Sequence, residues 1–364
     1  MATQKIPGRA IKLGNDAGGD ITYFDGSAWQ RLPIGEAGQQ LTMNEGGTLP
    51  SWGNTPTFQG RISGYCVGGE GDTANPTNII DKFSYTSNVN ATDVGDLIAG
   101  AMAAGCCGSS TNGYCMRNNV GPPRGTSTFV EKWSFSSDGN AANVGTLPNN
   151  HWDGPSGHAS ETHGYGAGAY DLYADGNAIS KFAFANEATT SNVGNLLSGH
   201  HGAGHAGCSS WDHGGFVFGG FRGGVGDPNT NVIEKFLFVS DSNATDHADL
   251  TFPMRDMNGQ SGLTHGYSVF GYRSVSGPAV TDIQKFPYAS QTNSVDVADI
   301  TFDYRALTSG TSSITDGYSA GGSPLSPAKS NRISKISHVS DGNEVDVADI
   351  TVARSHFSGT GTQV

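Results

Sequence analysis

The sequence predicts an all-β fold made of six repeats, preceded by a short segment that does not follow the repeat. Three features recur at intervals of about fifty residues. The first is a lysine in an apolar setting, at Lys82, Lys132, Lys181, Lys235, Lys285 and Lys335. The second is an aromatic residue after a glycine, at Tyr65, Tyr114, Tyr165, Phe216, Tyr267 and Tyr318. The third is a phrase such as NATDVGDL or NEVDVADI. Because the three features keep the same spacing, we predict six structural units.

Each repeat is predicted to form four short strands. Segments such as GGFVFGG supply the first, and the IEKFLF type, whose apolar positions alternate, supplies the next. The residues SDGN or SDSN are typical of a tight turn, since Asp, Gly and Asn tolerate the backbone angles that it needs. The ATDVGDL type forms the third strand. A run of small residues such as AGCCGSS forms the fourth.

Four antiparallel strands in about fifty residues favour a propeller blade over a solenoid coil. The small residues support this choice, because the innermost strands of a propeller converge and leave little room for side chains. The chain ends on a small-residue strand with no repeat after it, while the first repeat lacks such a strand. We therefore expect residues 354–363 to complete the blade that begins at residue 61, which closes the ring and removes an exposed sheet edge.

The repeats resemble the kelch family. The pair GG ends one strand in VGG (67–69), FGG (218–220) and AGG (320–322), and an arginine opens the small-residue strand in FPMRDM, FDYRAL and VARSHF. The resemblance covers residues 58–364 and implies a six-bladed, kelch-like β-propeller.

Residues 1–57 are predicted to be a separate, small, β-rich module. The stretch YFDGSAWQRLPIGEAGQQLTMNEGGTLPSWG resembles a module near the ends of tailed-bacteriophage fibre and appendage proteins. That resemblance implies a virion component that is a homotrimer and joins other virion proteins through this module. A segment of this size cannot bury its apolar side chains alone. The candidate attachment residues are Tyr23, Phe24, Trp29, Leu32, Ile34, Leu41 and Trp52.

Composition excludes several classes of partner. The net charge is −13 and no Lys/Arg cluster occurs, which argues against nucleic acid and anionic membranes. No apolar stretch suits a signal peptide or a membrane span, so we expect synthesis in the host cytoplasm, no membrane insertion and a final location in the virion. The five cysteines form no CxxC pair and are expected to be buried apolar residues rather than disulfide or zinc ligands.

The sequence contains neither a catalytic nor a metal-binding pattern. The histidines His200, His201 and His205, with His158 at a related repeat position, lack the ligand pattern of a metal site, and we expect the inner strands to present these polar side chains to a water-filled channel. A glycosidase needs one asymmetric carboxylate pair, whereas the same aspartate recurs at Asp96, Asp249, Asp299 and Asp349. SDGNEVDVAD lacks the spacing of a calcium loop, and no GxSxG motif is present. We predict no catalytic residue, no cofactor and no metal, and hence no enzymatic activity.

The predicted function is that of a structural virion protein, a tail fibre, appendage or adhesin that attaches to the host surface. The alternatives are a capsid decoration protein and a glycan-active propeller enzyme. The most varied segments lie between the GG strand and the lysine strand, and loops on a rigid scaffold often carry recognition. They are either a receptor face for host polysaccharide or merely tolerant loops. The candidate receptor-face residues are Arg117, Arg124, Tyr170, Tyr173, Phe221, Arg222, Tyr272 and Arg273.

Overall fold

The chain divides into two units, Met1–Thr57 and Phe58–Val364. The computed structural model describes residues 13–14, 17–35, 39–43, 49–54, 62–72, 75–118, 128–148, 155–168, 176–187, 189–197, 200–210, 212–222, 229–273, 279–301, 309–323, 329–356 and 358–360. All regular elements in these ranges are β-strands. None of the described residues belongs to a helix long and apolar enough to cross a bilayer.

The first unit contains two β-hairpins. They are formed by β1 (Ile21–Phe24) with β2 (Trp29–Leu32), and by β3 (Gln39–Met43) with β4 (Pro50–Asn54). Asp25 fixes the first turn, because its Oδ1 accepts hydrogen bonds from the backbone N–H groups of Ser27 and Ala28, each at 2.8 Å. The carboxylate of Asp20 accepts the N–H of Ile34 at 2.8 Å and pairs with Arg31 at 3.1 Å.

The second unit consists of six four-stranded antiparallel sheets, as the repeats predict. Blade 1 contains β5 (Ser63–Val67), β7 (Ile79–Ser84) and β8 (Thr92–Asp96), and the two-residue β6 (Glu70–Gly71) lies between β5 and β7 in sequence but outside the four-stranded sheet. Blade 2 contains β9 (Gly105–Gly108), β10 (Asn112–Asn118), β11 (Thr128–Ser134) and β12 (Ala142–Leu147). Blade 3 contains β13 (Ser156–Ala159), β14 (His163–Ala167), β15 (Ala178–Ala183) and β16 (Thr189–Asn195). Blade 4 contains β17 (His200–Ser210), β18 (Gly214–Arg222), β19 (Val232–Phe236) and β20 (Thr245–Asp249). Blade 5 contains β21 (Asn258–Ser261), β22 (His265–Tyr272), β23 (Ala279–Pro287) and β24 (Val295–Asp299). Blade 6 contains β25 (Ser309–Ser312), β26 (Asp316–Ala320), β27 (Arg332–Ser337) and β28 (Val345–Asp349). The last strands among the described residues are β29 (Arg354–Ser355) and β30 (Ser358–Thr360), and β30 belongs to the sheet of blade 1.

The small-residue strands are innermost. Counted outward from them, the glycine-aromatic strand is the second strand of each blade, the lysine strand is the third and the ATDVGDL-type strand is the outer strand. The innermost strands contact one another in a closed ring that runs β9, β13, β17, β21, β25, β30 and back to β9. Their glycines are required by close approach. A Cβ on Gly157 would lie 2.0 Å from the carbonyl oxygen of Cys106, and a Cβ on Gly259 would lie 2.1 Å from that of Gly207. The prediction that small residues mark the innermost strand is therefore confirmed.

The C-terminal strand closes the ring, as predicted. β30 pairs with β5 so that Ser358 lies opposite Val67 and Thr360 opposite Tyr65. β29 pairs with β6 and adds a second contact that the sequence did not indicate. Of the predicted closing segment 354–363, residues 357 and 361–363 lie outside the described ranges.

The apolar core is divided among the junctions between blades. Six clusters of buried side chains occur, each of them shared by two neighbouring blades. The cluster between blades 6 and 1, which joins Tyr318 and Ile333 to Cys66 and Phe83, resembles the other five. All five cysteines are buried thiols outside any disulfide, which confirms that they are core residues.

Candidate functional site

Four of the six recurring lysines join neighbouring blades. Lys82 lies 3.0 Å from Asp138, which belongs to the tight turn between the third and outer strands of the next blade. Lys181 with Asp241 at 2.6 Å and Lys285 with Asp341 at 2.7 Å repeat this pairing, and Lys132 with Glu187 does so as well. In four of the six repeats the recurring lysine therefore forms an ion pair with the next blade.

A recurring asparagine forms a second type of contact between neighbouring blades, and we call each such contact a joint. Its side-chain oxygen accepts the N–H of the last residue in the outer strand of the preceding blade, at 3.0 or 3.1 Å. These acceptors are Asn90, Asn140, Asn243, Asn293 and Asn343. Four of the donors are the aspartates Asp96, Asp249, Asp299 and Asp349. Their backbones therefore serve one structural purpose in four blades.

Stacked rings form a third joint. The aromatic residue of each second strand stacks on a ring from the third-strand end of the next blade. The six pairs, with distances between ring centroids of 4.9, 5.0, 4.8, 5.0, 4.2 and 4.7 Å, are Tyr65–Phe135, Tyr114–Phe184, Tyr165–Phe238, Phe216–Tyr288, Tyr267–His338 and Tyr318–Tyr85. The sequence showed the first ring of each pair, but the partner lies about seventy residues ahead or, for Tyr318, at the start of the ring.

Buried carboxylates make a fourth joint at the residue before the lysine. Glu131 accepts the N–H of Ile98 at 2.9 Å. Asp81 accepts that of Thr351 at 3.1 Å and also pairs with the guanidinium of Arg354 at 2.9 Å. Asp81 and Arg354 have fully buried side chains. This pair holds the C-terminal segment against blade 1.

We call the end of the propeller that carries the connections between second and third strands the loop face, and the opposite end the turn face. Arg117 was predicted on the loop face as a recognition residue, and this assignment is wrong. Strand β10 continues to Asn118, so Arg117 pairs with Phe129 in the ladder. Its guanidinium forms a buried ion pair with Glu131. It is only 5% exposed, so it cannot reach a surface ligand.

Four other candidates lie at strand ends on the loop face. Phe221 and Arg222 end β18, and Tyr272 ends β22 in the next blade. Tyr272 exchanges two backbone hydrogen bonds with Arg255, at 3.0 and 2.9 Å. The exposed Arg273 places its guanidinium 3.6 Å from the ring centroid of Phe252. Arg124, Tyr170 and Tyr173 lie outside the described residues.

The candidate attachment residues include an exposed apolar set. Phe24, Trp29, Ile34 and Leu41 expose 54%, 47%, 59% and 51% of their surface, and Tyr23, Leu32 and Trp52 are partly buried. The rings of Phe24 and Trp29 face each other across the first hairpin at 5.7 Å. The indole N–H of Trp52 donates to the carbonyl of Pro33, which ties the second hairpin to the first.

His158 is buried in the junction between two innermost strands and does not line a water-filled channel, contrary to the prediction. One ring nitrogen lies 2.8 Å from Ser156 Oγ, and the other lies 3.1 Å from Cys208 O in the next innermost strand. Burial lowers the pKa of His158 to about 4, so the ring is neutral at pH 7. Among the described residues no group of three His, Cys, Asp or Glu side chains could hold a metal ion.

Ser355, His356 and Glu70 meet near the closing strand without the geometry of a nucleophile. Ser355 Oγ lies 2.9 Å and Glu70 Oε2 3.3 Å from the same nitrogen, Nδ1 of His356. A proton relay needs the hydroxyl and the carboxylate on opposite ring nitrogens. Ser355 is also fully buried. These residues hold β29 next to β6.

A pocket of about 290 Å³ opens on the turn face between blades 5 and 6. It is lined by Gly262, Leu263, Thr264, His265, Tyr267, Ile314, Thr315, His338 and Val339. No feature of the sequence led us to predict it, although KISH at 335–338 departs from the KF-aromatic pattern of the other repeats.

Comparisons with known proteins identify the fold but no family. No family model matches the chain. No curated protein matches it either. Among solved structures, the chain is similar to the structure of YjhT, with a TM-score of 0.55 and 10% identity over 71% of this chain and 87% of that chain. At this identity the likeness supports the propeller fold alone.

Proposed function

We propose that this chain is a structural virion protein of a tailed bacteriophage, a tail fibre, appendage or adhesin that takes part in attachment to the host surface. The observation that carries the proposal is the resemblance of residues 23–53 to the module of phage fibre and appendage proteins. The exposed rings of Phe24 and Trp29 support it, because they offer an apolar surface for joining other chains. In this proposal the module binds other virion proteins and forms a homotrimer.

We further propose that the propeller acts as a rigid, non-enzymatic scaffold. The residues that recur in the repeats are used in joints between blades, as Lys82, Asn140 and Glu131 show. A set of side chains that serves the same joint in successive blades gives no asymmetric acid and base pair. The Ser355 and His356 contact also lacks the geometry of a nucleophile.

The loop face is the proposed site for host polysaccharide. Arg273 is exposed next to Phe252, and Phe221 and Tyr272 lie at the ends of the second strands of two neighbouring blades. Aromatic rings and guanidinium groups stack on sugars and pair with their acidic groups.

The test is adsorption of virions assembled with Tyr173, Phe221, Arg222 and Tyr272 all changed to alanine. We expect the adsorption rate to fall by about tenfold or more, the equivalent of about 1.4 kcal/mol. The matched control changes four exposed residues on turns and outer strands, Val89, Leu237, Val239 and Val345, to alanine and should adsorb normally. If the first variant assembles and adsorbs like wild type, the loop face is not the receptor site, and a spacer or capsid decoration role is favoured instead.

A further inference from the structure

The pocket lies where one repeat departs from the other five. Five stacked pairs join two phenyl or phenol rings, and only the pair between blades 5 and 6 contains an imidazole, His338. Two positions earlier, Ile336 stands where the other repeats carry Phe or Trp. When one unit of a regular array breaks a pattern that stabilises the rest, a functional reason is the first to consider.

Polar groups take the place of the missing ring. Gln260 Oε1 lies 3.4 Å from Nε2 of His338, and Gln260 Nε2 donates to Ser319 Oγ at 3.0 Å. Nδ1 of His338 is buried and has no hydrogen-bond partner among the described residues. It faces the pocket wall at Gly262, where a Cβ would lie 3.4 Å away. An unpartnered buried acceptor costs free energy, and a ligand hydroxyl that displaced the Gly262 wall and donated to Nδ1 would offset that cost.

The pocket combines an apolar rim with hydroxyl groups. Leu263, Ile314 and Val339 are 62%, 38% and 76% exposed and surround the Tyr267 and His338 stack. Thr315 donates its hydroxyl proton to Asp316 at 2.7 Å, so its oxygen keeps a lone pair for an incoming donor. Thr264 lies 2.7 Å from His265 Nδ1.

The lining contains no charged side chain at neutral pH. Its described residues include no Asp, Glu, Lys or Arg. Burial lowers the pKa of His338 to about 4 and also lowers the pKa of His265, so both rings are neutral. Of the charges outside the lining, Lys285 and Asp341 pair at 2.7 Å, and the carboxylate of Asp316 accepts the hydroxyl proton of Thr315. A charged ligand would therefore find no partner in the lining itself.

We propose that this pocket binds an uncharged sugar residue. One face of a pyranose ring presents C–H groups that suit the aliphatic rim and the ring edges, while its hydroxyls suit the threonines and the free acceptor of His338. The volume of about 290 Å³ is at the small end for ligand sites, which fits one sugar rather than a chain of them. The site is on the turn face, at the other end of the propeller from the loop-face candidates. It does not depend on the virion role.

Saturation-transfer NMR on the full chain tests this proposal. The probes are methyl α-D-mannopyranoside, methyl β-D-galactopyranoside and methyl α-L-rhamnopyranoside, with methyl β-D-glucuronide as the charged comparison. We expect saturation of ring C–H protons in at least one neutral glycoside and a weaker effect on the glucuronide. The variant Val339→Asp should weaken the binding by about fivefold or more. Val239→Asp is the matched control, because Val239 has the same turn position in blade 4, is 92% exposed and lies outside the pocket.

A second variant, His338→Phe, restores the ring found at Phe135, Phe184 and Phe238. It should fold and melt like wild type because it recreates the common stack, yet bind the glycoside about threefold or more weakly since it lacks the acceptor. The proposal is overturned if no neutral glycoside shows transfer, if the glucuronide binds best, or if either variant binds as wild type does. None of these results depends on adsorption, so they separate this site from the proposed function.

Discussion

Asp81 and Lys82 are adjacent in sequence, yet they make joints of different energetic weight. The Lys82 side chain is 27% exposed and its partner Asp138 is 30% exposed, so water screens their attraction. Asp81 and Arg354 are fully buried, and loss of either partner leaves the other charge without compensation. At the scale of single residues, burial rather than recurrence in the repeats decides how much an ion pair contributes to stability.

We therefore expect Arg354→Ala to destabilise the propeller by about 3–5 kcal/mol, and Lys82→Ala to destabilise it by less than about 1 kcal/mol. Urea unfolding of the full chain, followed by tryptophan fluorescence, measures both. Equal losses in the two variants would show that the buried pair is not special.

A second prediction at this scale concerns pH. The pKa of His158 falls from 6.5 to about 4 on folding, so between these values the unfolded chain binds the proton more readily. The buried neutral ring of His158 contributes fully to the stability of the fold above pH 6.5, and this contribution is lost as the pH falls towards 4. At pH 5 the free energy of unfolding is lower by about 2 kcal/mol because of this group. His158→Gln should lose less stability than wild type between pH 7 and pH 5, as urea midpoints would show. Parallel pH profiles would contradict the assignment.

The recurring residues could be read from the sequence, but their partners could not. Lys82 meets a turn fifty-six residues ahead, and only the ring geometry brings the two together. Arg117 was misplaced because the pattern does not show that β10 runs on through its position. His158 was misplaced because a histidine among small residues does not reveal which way its ring points.

At the scale of strands, closure depends on two short C-terminal elements. β30 supplies the innermost strand of blade 1, and β29 brings Arg354 to Asp81. The missing innermost strand of the first repeat was evident from the sequence. The two-residue pair β6 with β29 was not, because it is too short to leave a pattern.

Truncation after Ile350 should therefore lower the melting temperature of the propeller by more than about 6 °C, the shift expected from the buried ion pair alone. The matched control ends at Thr360 and keeps both strands. Differential scanning calorimetry of the two truncated chains compares them. If the chain that ends at Ile350 melted like full-length protein, the terminal strands would not hold the ring closed.

At the scale of the whole molecule, association is expected through the first unit. Its exposed Phe24, Trp29, Ile34 and Leu41 form more apolar surface than two hairpins can cover. We expect a particle of three times 37.7 kDa in light scattering at micromolar concentration. The double variant Phe24→Ser, Trp29→Ser should shift this towards the monomer. A wild-type monomer would contradict association in solution through this surface.

The propeller could be predicted from the sequence because its repeats mark every blade. The pocket between blades 5 and 6 could not, since it depends on how the replacements at Ile336 and His338 pack against Tyr267 and Gln260. The role of the molecule rests on the N-terminal pattern.

A reconstruction of the virion by electron cryomicroscopy tests that role most directly. We predict six-bladed propellers in a tail fibre or appendage, three to an assembly, with the N-terminal hairpins at the contacts with other virion proteins. Propellers bound to the capsid instead, or a virion without this chain, would contradict the account.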